Sequence, residues 1–436
     1  MCKLQKLQSL AVSGQRSCSI LSETTSLRSL RLDDCVSQPV LGSLFQLDGL
    51  RELHVQLPAQ DVKNLVSLVR LETLSVNVVT LQRGLDFSVF ASLLRLKRLV
   101  IISVTSTVHG YLRVQNAFCI AKLLRLQLLR VSQCLFGDLE IEHLVSLSNL
   151  RKLSLSKCAG LSNVGILLVS QIKQLSSFVS EGNLQVTDLS PLQACRDLQE
   201  LKVSPFVGIP HGLNLKSMLV DTSDGEPFDD LPQKLEKLDF RGFWSSQKEA
   251  FGANLTHLTL YDTDFSPESI KGLSQLQNLQ DLTLSGDTLD HWPSLCESLP
   301  LQKLTCLKLE MFPAQTYFLS LALLGKIPML REIWIHGFRL NTVGWTWLGK
   351  QTQLTVADLW TADSATSDFF KLTNLKVFFA RVATLSSRNV VHVQKLRNLC
   401  KLDLSDCMNL SIDDVLRIRA SCCASQVIAP TLHAYE

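Results

Sequence analysis

Residues 344–352, GWTWLGKQT, resemble the start of a nucleotide-binding P-loop, G-x-x-x-x-G-K. In a P-loop, backbone N–H groups cradle phosphates, and the lysine is followed by a serine or threonine whose hydroxyl holds Mg²⁺. Here Gln351 occupies that place, and Thr352 comes one residue late. Trp345 and Trp347, inside the stretch, suit packing against a neighbouring segment better than a phosphate cradle. We therefore interpret the stretch as structural and expect no nucleotide site.

The histidines could supply acid–base or metal chemistry. His257 and His336 are predicted at outward strand positions, close to Asp281 and Glu310 on adjacent strands. Solvated polar residues are the simpler interpretation, since the zinc-protease, hydrolase and dinucleotide-binding motifs do not occur in the sequence. We predict no catalytic residue, no metal and no cofactor, and hence a protein that is not an enzyme.

Composition narrows the functional class further. Hydrophobic residues make up 46% of the 436 residues and charged residues 19%, so the chain can bury a large core. Forty-three basic residues against 40 acidic ones give a net charge of +3 without a charged run. This balance argues against a nucleic-acid partner. No apolar run reaches the roughly 18 residues of a membrane span, so no membrane span is predicted.

The 13 cysteines are odd in number and include no C-x-x-C pair. The usual spacings of zinc and redox sites are therefore missing, and several cysteines fall at positions predicted to be buried. Free thiols in a reducing compartment are expected. The cytoplasm fits best, and the nucleus also fits.

One pattern, L-x-x-L-x-L, recurs along the whole chain. Good copies are LRSLRL from Leu27, LRELHV from Leu50, LRKLSL from Leu150 and LTHLTL from Leu255, and LCKLDL from Leu399 closes the series. Counting weaker copies, first leucines from Leu7 to Leu399 give 18 repeats at a mean interval of about 23 residues, within the usual range for such repeats.

The chain therefore resembles the leucine-rich-repeat proteins over nearly its full length. Cys35, Cys134, Cys158 and Cys407 stand at the consensus Cys or Asn position, three residues after the last apolar strand residue. LRKLSLSKCAGLSNVGI and LCKLDLSDCMNLSIDDVLRI are similar to the cysteine-containing repeats of F-box proteins, and VTDLSPLQACRDLQEL to repeats of protist and bacterial proteins. The resemblance implies an α/β solenoid, a horseshoe of about 18 repeats with a parallel concave sheet and convex returns that mix helices and turns.

Irregular spacing suggests how the array is organised. We predict an N-terminal sub-array over 1–204, an irregular kink rich in Gly, Pro and acidic residues over 205–232, and a C-terminal sub-array over 233–436 that ends in a short helix from Ser411. The interval of 30 residues between Leu96 and Leu126 predicts a return that bulges. Residues 344–352 fall between a strand and the next repeat, so they belong to a return.

Residues that flank the buried strand positions form the concave face. In the first half they are small or polar, such as Ser75 and Ser154, whereas the second half gains aromatic residues among charged ones. Aromatic residues and arginine dominate binding hot spots. The predicted partner-binding residues are Lys237, Arg241, Tyr261, Lys308, Glu310, Trp334, His336, Asp358, Trp360, Phe379 and Arg381. Trp334, Trp360 and Phe379 are predicted at equivalent places on three consecutive repeats, about 5 Å apart from strand to strand.

These observations predict a non-enzymatic scaffold that binds a protein partner on its concave face. The alternative is the substrate-recognition subunit of a ubiquitin ligase, which the resemblance to F-box proteins implies, although no F-box is visible ahead of the repeats. A catalytic leucine-rich-repeat enzyme would need an appended domain. Leu4, Leu7 and Leu10 start almost at Met1 without a cap, so self-association through this edge is expected.

Overall fold

The chain forms two compact units, Met1–Asp221 and Thr222–Glu436. The division falls inside residues 205–232, which were predicted to be irregular. A computed structural model describes residues 7–12, 26–35, 42–79, 84–104, 110–183, 185–204, 208, 210, 212–222, 232–244, 254–265, 270, 272–311, 321, 327–361, 364–382, 384–407 and 410–428.

The first unit is built around a parallel sheet in which neighbouring strands pair in register. In one such pair, Leu53 lies opposite Leu74 and Val55 opposite Val76. In the order in which they pair, the strands of this sheet are β1 (Ser9–Val12), β2 (Ser29–Cys35), β3 (Glu52–Pro58), β4 (Thr73–Val79), β6 (Arg98–Ser103), β8 (Leu128–Ser132), β10 (Lys152–Ser156), β11 (Ser177–Glu181), β12 (Glu200–Ser204) and β13 (Ser217–Thr222).

A second, small parallel sheet lies on the returns of this unit. Strand β7 (Leu112–Gln115) pairs with β5 (Leu85–Asp86) and with β9 (Cys134–Leu135). Strand β7 belongs to the long return between Leu96 and Leu126, so the extra length predicted to bulge includes an additional strand. Residues 105–109 of this return lie outside the described part.

Several returns of the first unit are 3₁₀-helical and bury apolar residues three positions apart. Val62 and Leu65 of one such helix are both fully buried, and a 3₁₀ helix has three residues per turn, which places such residues on one face. The 3₁₀ helices are Val62–Ser67, Phe87–Ser92, Ala117–Lys122 and Ser190–Ala194. Other returns contain α-helices, among them α1 (Asp138–Glu142) and α2 (Asn163–Val169).

The second unit repeats the same architecture. Its parallel sheet runs in chain order through β14 (Lys237–Trp244), β15 (His257–Phe265), β16 (Asp281–Ser285), β17 (Cys306–Glu310), β18 (Glu332–Phe338), β19 (Val356–Thr361), β20 (Val377–Val382), β21 (Lys401–Asp403) and β22 (Gln426–Ile428). Its α-helices are α3 (Trp292–Ser298), α4 (Thr342–Lys350), α5 (Val390–Val393) and α6 (Ile412–Ser421), and its 3₁₀ helices are Leu273–Gln275, Gly286–His291, Leu301–Lys303 and Phe369–Lys371. The predicted helix start at Ser411 is confirmed, because its side chain caps α6.

The repeat pattern accounts for the core. Each of the 18 predicted repeats contains one strand of its unit's large parallel sheet, and after the first repeat the leucine-type positions of these strands are buried, as in Leu150, Leu153 and Leu155. A single repeat cannot bury these residues alone, whereas stacked repeats bury them jointly. Strand β22 is a nineteenth strand that was not predicted.

A polar side chain after the strand often ties one repeat to the repeat before it. In the clearest case, Asn183 Nδ2 donates to the carbonyl of Leu155 at 2.7 Å, and Asn183 Oδ1 accepts from the Cys158 N–H at 2.8 Å. Equivalent side chains donate to the carbonyl of a buried apolar residue in the strand of the preceding repeat: Cys158 to Val131, Thr263 to Phe240, Thr288 to Leu260, Thr384 to Leu359 and Cys407 to Ala380. We call these six side chains rungs.

The rungs correspond to the consensus Cys or Asn position and extend it to threonine. Cys158 and Cys407 were predicted at this position. Cys134 is buried too, but its thiol contacts the carbonyl of Ser132 in its own repeat. The side chain of Cys35 lies outside the described part. A rung satisfies a buried carbonyl that would otherwise lose its hydrogen bond to water.

The N-terminal edge is the least covered part of the first sheet. Leu7 and Leu10 are partly exposed, whereas Leu27 and Leu30 in the next repeat are buried. Leu4 lies outside the described residues, and self-association through this edge stays a prediction. In the described part of the chain, no helix combines the length and the apolar character needed to cross a bilayer.

All 13 thiols are expected to react with Ellman's reagent when the protein is unfolded without a reductant. The ten cysteines whose side chains the structure describes are free, and in the folded protein exposed Cys400 and Cys423 should react first. Burial raises the pKa of Cys158 and of Cys407 to about 12, which leaves little reactive thiolate. A thiol count well below the total would show disulfides and contradict a reducing compartment.

Candidate interaction site

Alternation along each strand places every second side chain on the exposed face of the sheet, opposite the leucines. In the second unit these side chains align into rows, because neighbouring strands pair in register. The middle row consists of Asp239, Thr259, Thr283, Lys308, Trp334, Asp358, Phe379 and Asp403. The outer row consists of Arg241, Tyr261, Ser285, Glu310, His336, Trp360 and Arg381.

A buried carboxylate lies at the centre of the exposed face. Asp358 is fully buried, although it belongs to the middle row. Arg381 binds both of its oxygens, through Nε at 2.9 Å and Nη2 at 3.2 Å. His336 Nε2 lies 3.1 Å from Asp358 Oδ1. Burial alone would raise the pKa of the Asp358 carboxyl, but His336 and Arg381 outweigh burial and hold this pKa below its usual range.

Two aromatic rings cover this carboxylate. Trp334 and Phe379 flank Asp358 in the middle row, on β18 and β20, and stack with ring centroids 6.4 Å apart and an interplanar angle of 28°. Their rings meet across the intervening strand because Asp358 is short and lies below them. The Asp358 side chain is 1% exposed and that of Arg381 33%, so the carboxylate is shielded from water while the guanidinium keeps contact with solvent.

Trp360 does not occupy a position equivalent to those of Trp334 and Phe379, so this prediction was wrong. Trp360 pairs in register with His336 and Arg381, which places it in the outer row. The imidazole of His336 lies between the two tryptophans, 6.1 Å from the Trp334 ring and 6.2 Å from the Trp360 ring. The three aromatic residues and His336 therefore form one patch over two rows.

Cationic side chains border the aromatic patch. Lys308 Nζ lies 4.8 Å from the centre of the Trp334 ring, and Lys401 Nζ lies 4.8 Å from that of Phe379. Cations in such positions are attracted to the ring faces. Arg381 also donates from Nη1 to Asp406 at 2.7 Å. Lys401 and Asp406 were not predicted, although Lys401 follows the first leucine of its repeat by two residues and so faces outward like the others.

A bulge next to His336 sets the geometry of this region. The register between β18 and β19 shifts between His336 and Phe338. Gly337 has a φ of +82°, and a Cβ at this position would overlap the carbonyl oxygen of Met311. Glycine is the residue that tolerates both conditions. The bulge therefore depends on Gly337, and it ends the exposed face at His336.

The remaining predicted residues form a separate group. Lys237 and Arg241 lie on β14 and Tyr261 on β15. Arg241 Nη2 lies 3.2 Å from Asp262 Oδ2. Burial, together with Asp239 and Glu310, raises the pKa of Tyr261.

We define the aromatic cluster as Lys308, Trp334, His336, Asp358, Trp360, Phe379, Arg381 and Lys401. Glu310 borders this cluster beside His336.

The predicted histidine–acid pairs behave as polar neighbours on the sheet. His257 Nε2 lies 2.5 Å from Asp281 Oδ2, and the two residues are register partners. His336 has Glu310 as its register partner, but its closer acid is Asp358. Within the described residues, no group of three or more His, Cys, Asp and Glu side chains could hold a metal ion.

The P-loop-like stretch is helical. Helix α4 begins after Asn341, whose side chain caps the N–H of Gly344, and it extends through Lys350. Gly349 lies inside the helix, where a Cβ would overlap the carbonyl oxygen of Asp368. Trp345 is buried and packs edge-on against Phe369 at 5.7 Å. Gly349 thus allows close packing of a return, and the residues of the P-loop-like stretch up to Lys350 are part of helix α4.

Repeats of L-x-x-L-x-L that each supply one strand to a parallel sheet define the leucine-rich-repeat fold, and the chain has this fold. No protein-family model matches the chain, and no curated protein matches it. Solved structures that resemble it are also leucine-rich-repeat proteins.

An internalin from Listeria monocytogenes is 17% identical with a TM-score of 0.37, and the match covers 85% of this chain and 88% of that chain. A leucine-rich-repeat protein of Leptospira interrogans is 17% identical with a TM-score of 0.35, over 97% and 93% of the two chains. TLR13, in its complex with ssRNA13, is 17% identical with a TM-score of 0.41, over 93% and 78%. At these values the likeness carries no inference about a ligand.

Proposed function

We propose that this protein is a non-enzymatic interaction scaffold and that the aromatic cluster of the second unit binds a protein partner. The observation that carries the proposal is the Trp334–Phe379 stack over the buried Asp358–Arg381 pair. Half-buried aromatic side chains with a cationic border have the composition of an interface hot spot, in which a desolvated centre is ringed by polar groups.

The support beneath the cluster favours tight binding. Its residues stand on consecutive strands, β17 to β21, whose backbones are hydrogen-bonded to each other in register. The surface is therefore preformed, and little conformational entropy is lost when a partner docks on it. The corresponding row of the first unit has no aromatic stack at Ser75 or Ser154, and these two side chains offer a partner far less apolar area.

One buried donor in the cluster, Trp334 Nε1, has no hydrogen-bond partner in the described part of the chain. A buried unsatisfied donor costs about 1–3 kcal/mol. Such costs are uncommon at purely structural positions. They are consistent with a surface that has been shaped by binding.

The test is the double substitution Trp334→Ala with Trp360→Ala. The main partner is first identified by affinity capture and mass spectrometry, and its affinity for the purified protein is then measured. Loss of the two rings should weaken binding by about 2 kcal/mol or more, roughly thirtyfold. The melting temperature should hardly change, because both side chains are on the exposed face.

The matched control is Ser75→Ala with Ser154→Ala, which changes two outward positions of the first unit and should leave both quantities unchanged. If the tryptophan double variant unfolds, and binds normally after refolding, the tryptophans only pack the sheet and the proposal fails. Capture of ubiquitin-ligase subunits as the main partners would support the role implied by the resemblance to F-box repeats.

A further inference from the structure

The first unit gathers basic side chains along one edge of its sheet. The edge is formed by the residues that lead into successive strands, immediately before and after the first leucine of each repeat. We define the basic edge as Arg28, Arg51, Arg70, Arg95, Lys97 and Arg125, all of which are exposed. Two surface clefts open between these side chains and share Arg95: one is lined by Arg28, Arg51 and Arg70, the other by Lys97 and Arg125.

Few acids offset this charge. Among the described residues that line the two clefts, Glu72 is the one acid, against six basic side chains. Glu72 lies 2.7 Å from Lys97 and 3.6 Å from Arg51, so it partly neutralises both. Arg28, Arg70, Arg95 and Arg125 form no ion pair within the described part of the chain. A concentration of unpaired guanidinium groups attracts anions.

Exposed aliphatic side chains alternate with the arginines. Val69, Leu94 and Leu124 directly precede Arg70, Arg95 and Arg125 and are exposed by 50%, 57% and 59%. They stand at the same position of three consecutive repeats, so the structure presents an apolar row beside a basic one. Leu94 itself lines one of the clefts.

We propose that the basic edge binds an extended acidic segment of a protein partner, one in which apolar residues separate the carboxylates. Guanidinium groups match carboxylates in a bidentate fork, and the aliphatic row would cover the apolar residues of the segment. The edge spans five strands, or about 19 Å at about 4.8 Å per strand, which an extended peptide of about six residues covers.

Single-stranded nucleic acid is the competing anion, and the lining disfavours it. Proteins that bind single strands without sequence preference stack bases on aromatic side chains. None of the described residues that line the two clefts is aromatic. The site differs from the aromatic cluster and does not depend on it, so the Trp334→Ala, Trp360→Ala variant should keep this activity.

The probe is a fluorescein-labelled peptide of about eight residues, slightly longer than the edge, with glutamates separated by leucines. A second peptide has serine in place of each leucine, and an oligothymidylate of equal charge represents nucleic acid. Fluorescence anisotropy measures the affinity of the full chain for each probe at low and high salt. The leucine-containing peptide should bind most tightly, and its affinity should fall as salt screens the charges.

The triple variant Arg70→Glu, Arg95→Glu, Arg125→Glu should bind the leucine-containing peptide with an affinity lower by about tenfold or more. The matched control reverses Lys63, Arg113 and Arg196, which are exposed on the same unit away from the clefts, and should change affinity by about twofold at most. The double variant Leu94→Ser, Leu124→Ser should have a lower affinity for the leucine-containing peptide and an unchanged affinity for the serine-containing peptide. Melting curves confirm that each variant is folded.

Three results would overturn the proposal. If the two triple variants lose affinity for the leucine-containing peptide equally, binding depends on the net charge of the protein and not on the basic edge. Tighter binding of the oligothymidylate than of either peptide, lost on reversal of Arg70, Arg95 and Arg125, would assign the edge to nucleic acid. Absence of binding to both peptides at low salt would show that the edge does not take acidic segments.

Discussion

Replacing Asp358 with asparagine is expected to lower the free energy of unfolding of the second unit by about 2–4 kcal/mol. The carboxylate is fully buried and binds Arg381 through both oxygens. Asparagine has nearly the same shape as aspartate, but it leaves the Nε and Nη2 groups of Arg381 without a charged partner. Arg381 retains Asp406, an exposed acid, which compensates weakly.

Tryptophan fluorescence in a urea titration measures this effect for the second unit alone. All six tryptophans, from Trp244 to Trp360, belong to that unit. The control is Asp406→Asn, which removes the exposed partner of the same arginine and should cost less than about 1 kcal/mol. If both variants have the same urea midpoint as the natural protein, Asp358 does not organise the cluster.

The same carboxylate predicts how stability depends on pH. Its pKa in the folded protein lies below the value of an unfolded aspartate, about 3.9. The stabilising contribution is therefore fully present above that value and is lost as the pH falls through the folded pKa. The difference in urea midpoint between the natural protein and Asp358→Asn should be constant near neutral pH and should shrink in acid.

Asn183→Ala should produce a loss of similar size, about 2–4 kcal/mol, in the first unit. The amide is buried and makes three hydrogen bonds, to the carbonyl of Leu155, the hydroxyl of Ser180 and the N–H of Cys158. Alanine leaves the last of these groups, a buried backbone donor, without its acceptor, and opens a small cavity.

Circular dichroism in urea measures the loss, and the labelling rate of the Cys158 thiol shows where it acts. Labelling should accelerate in the variant, because the N–H of Cys158 is the group that loses its partner. Asn163→Ala is the control: Asn163 also makes several hydrogen bonds, to Thr187 and Asp188, but on the surface. A loss below about 1 kcal/mol is expected there. Equal losses in the two variants would contradict the role assigned to the rung.

Most of the fold could be predicted because the leucines of L-x-x-L-x-L recur at a regular interval, and stacked repeats bury these positions jointly. The first leucine of each repeat marked a strand in all 18 cases, even around weak copies such as those of Leu354 and Leu375. Strand β22 was missed because its buried-type residue, Val427, pairs with Leu402 but has no leucine three residues before it. Backbone pairing with β21 forms this strand in spite of its poor pattern.

Cys158 and Cys407 were predicted at the consensus position, whereas the threonine rungs were not, and the chemistry of the position explains the difference. Cysteine and asparagine are recognisable at the consensus position, but the position requires only a side chain that can donate to a carbonyl, and threonine meets that requirement. Thr288 and Thr384 also come one residue later than the consensus, after the strand has bent away. Neither the type nor the spacing of these residues identifies them in the sequence.

The alternation of residues along each strand predicts which residues of the site are exposed. It does not predict which of these side chains contact each other. Trp334 and Phe379 each follow the first leucine of their repeat by four residues, whereas Trp360 follows Leu354 by six. Aligning the repeats would have placed Trp360 in the outer row. That His336 bridges the two tryptophans depends on side-chain packing and on the bulge at Gly337.

The basic edge shows how a repeat conceals charge along the chain. Its arginines are about one repeat apart in sequence, so no run of positive charge occurs and the net charge is only +3. Stacking brings these residues to successive strands of one sheet. The prediction that charge is spread without blocks holds for the sequence but not for the surface of the first unit.

Pairing of each strand with the strand of the next repeat has a consequence for folding kinetics. Contacts such as those between β16 and β17 connect residues about 25 positions apart, and contacts of this range recur through each unit. Loops of this length close faster than the longer loops that must form in sheets whose paired strands are far apart in sequence. During synthesis, each repeat that leaves the ribosome therefore finds its template already formed by the repeat before it, and folding can advance along the chain without waiting for the C-terminal half.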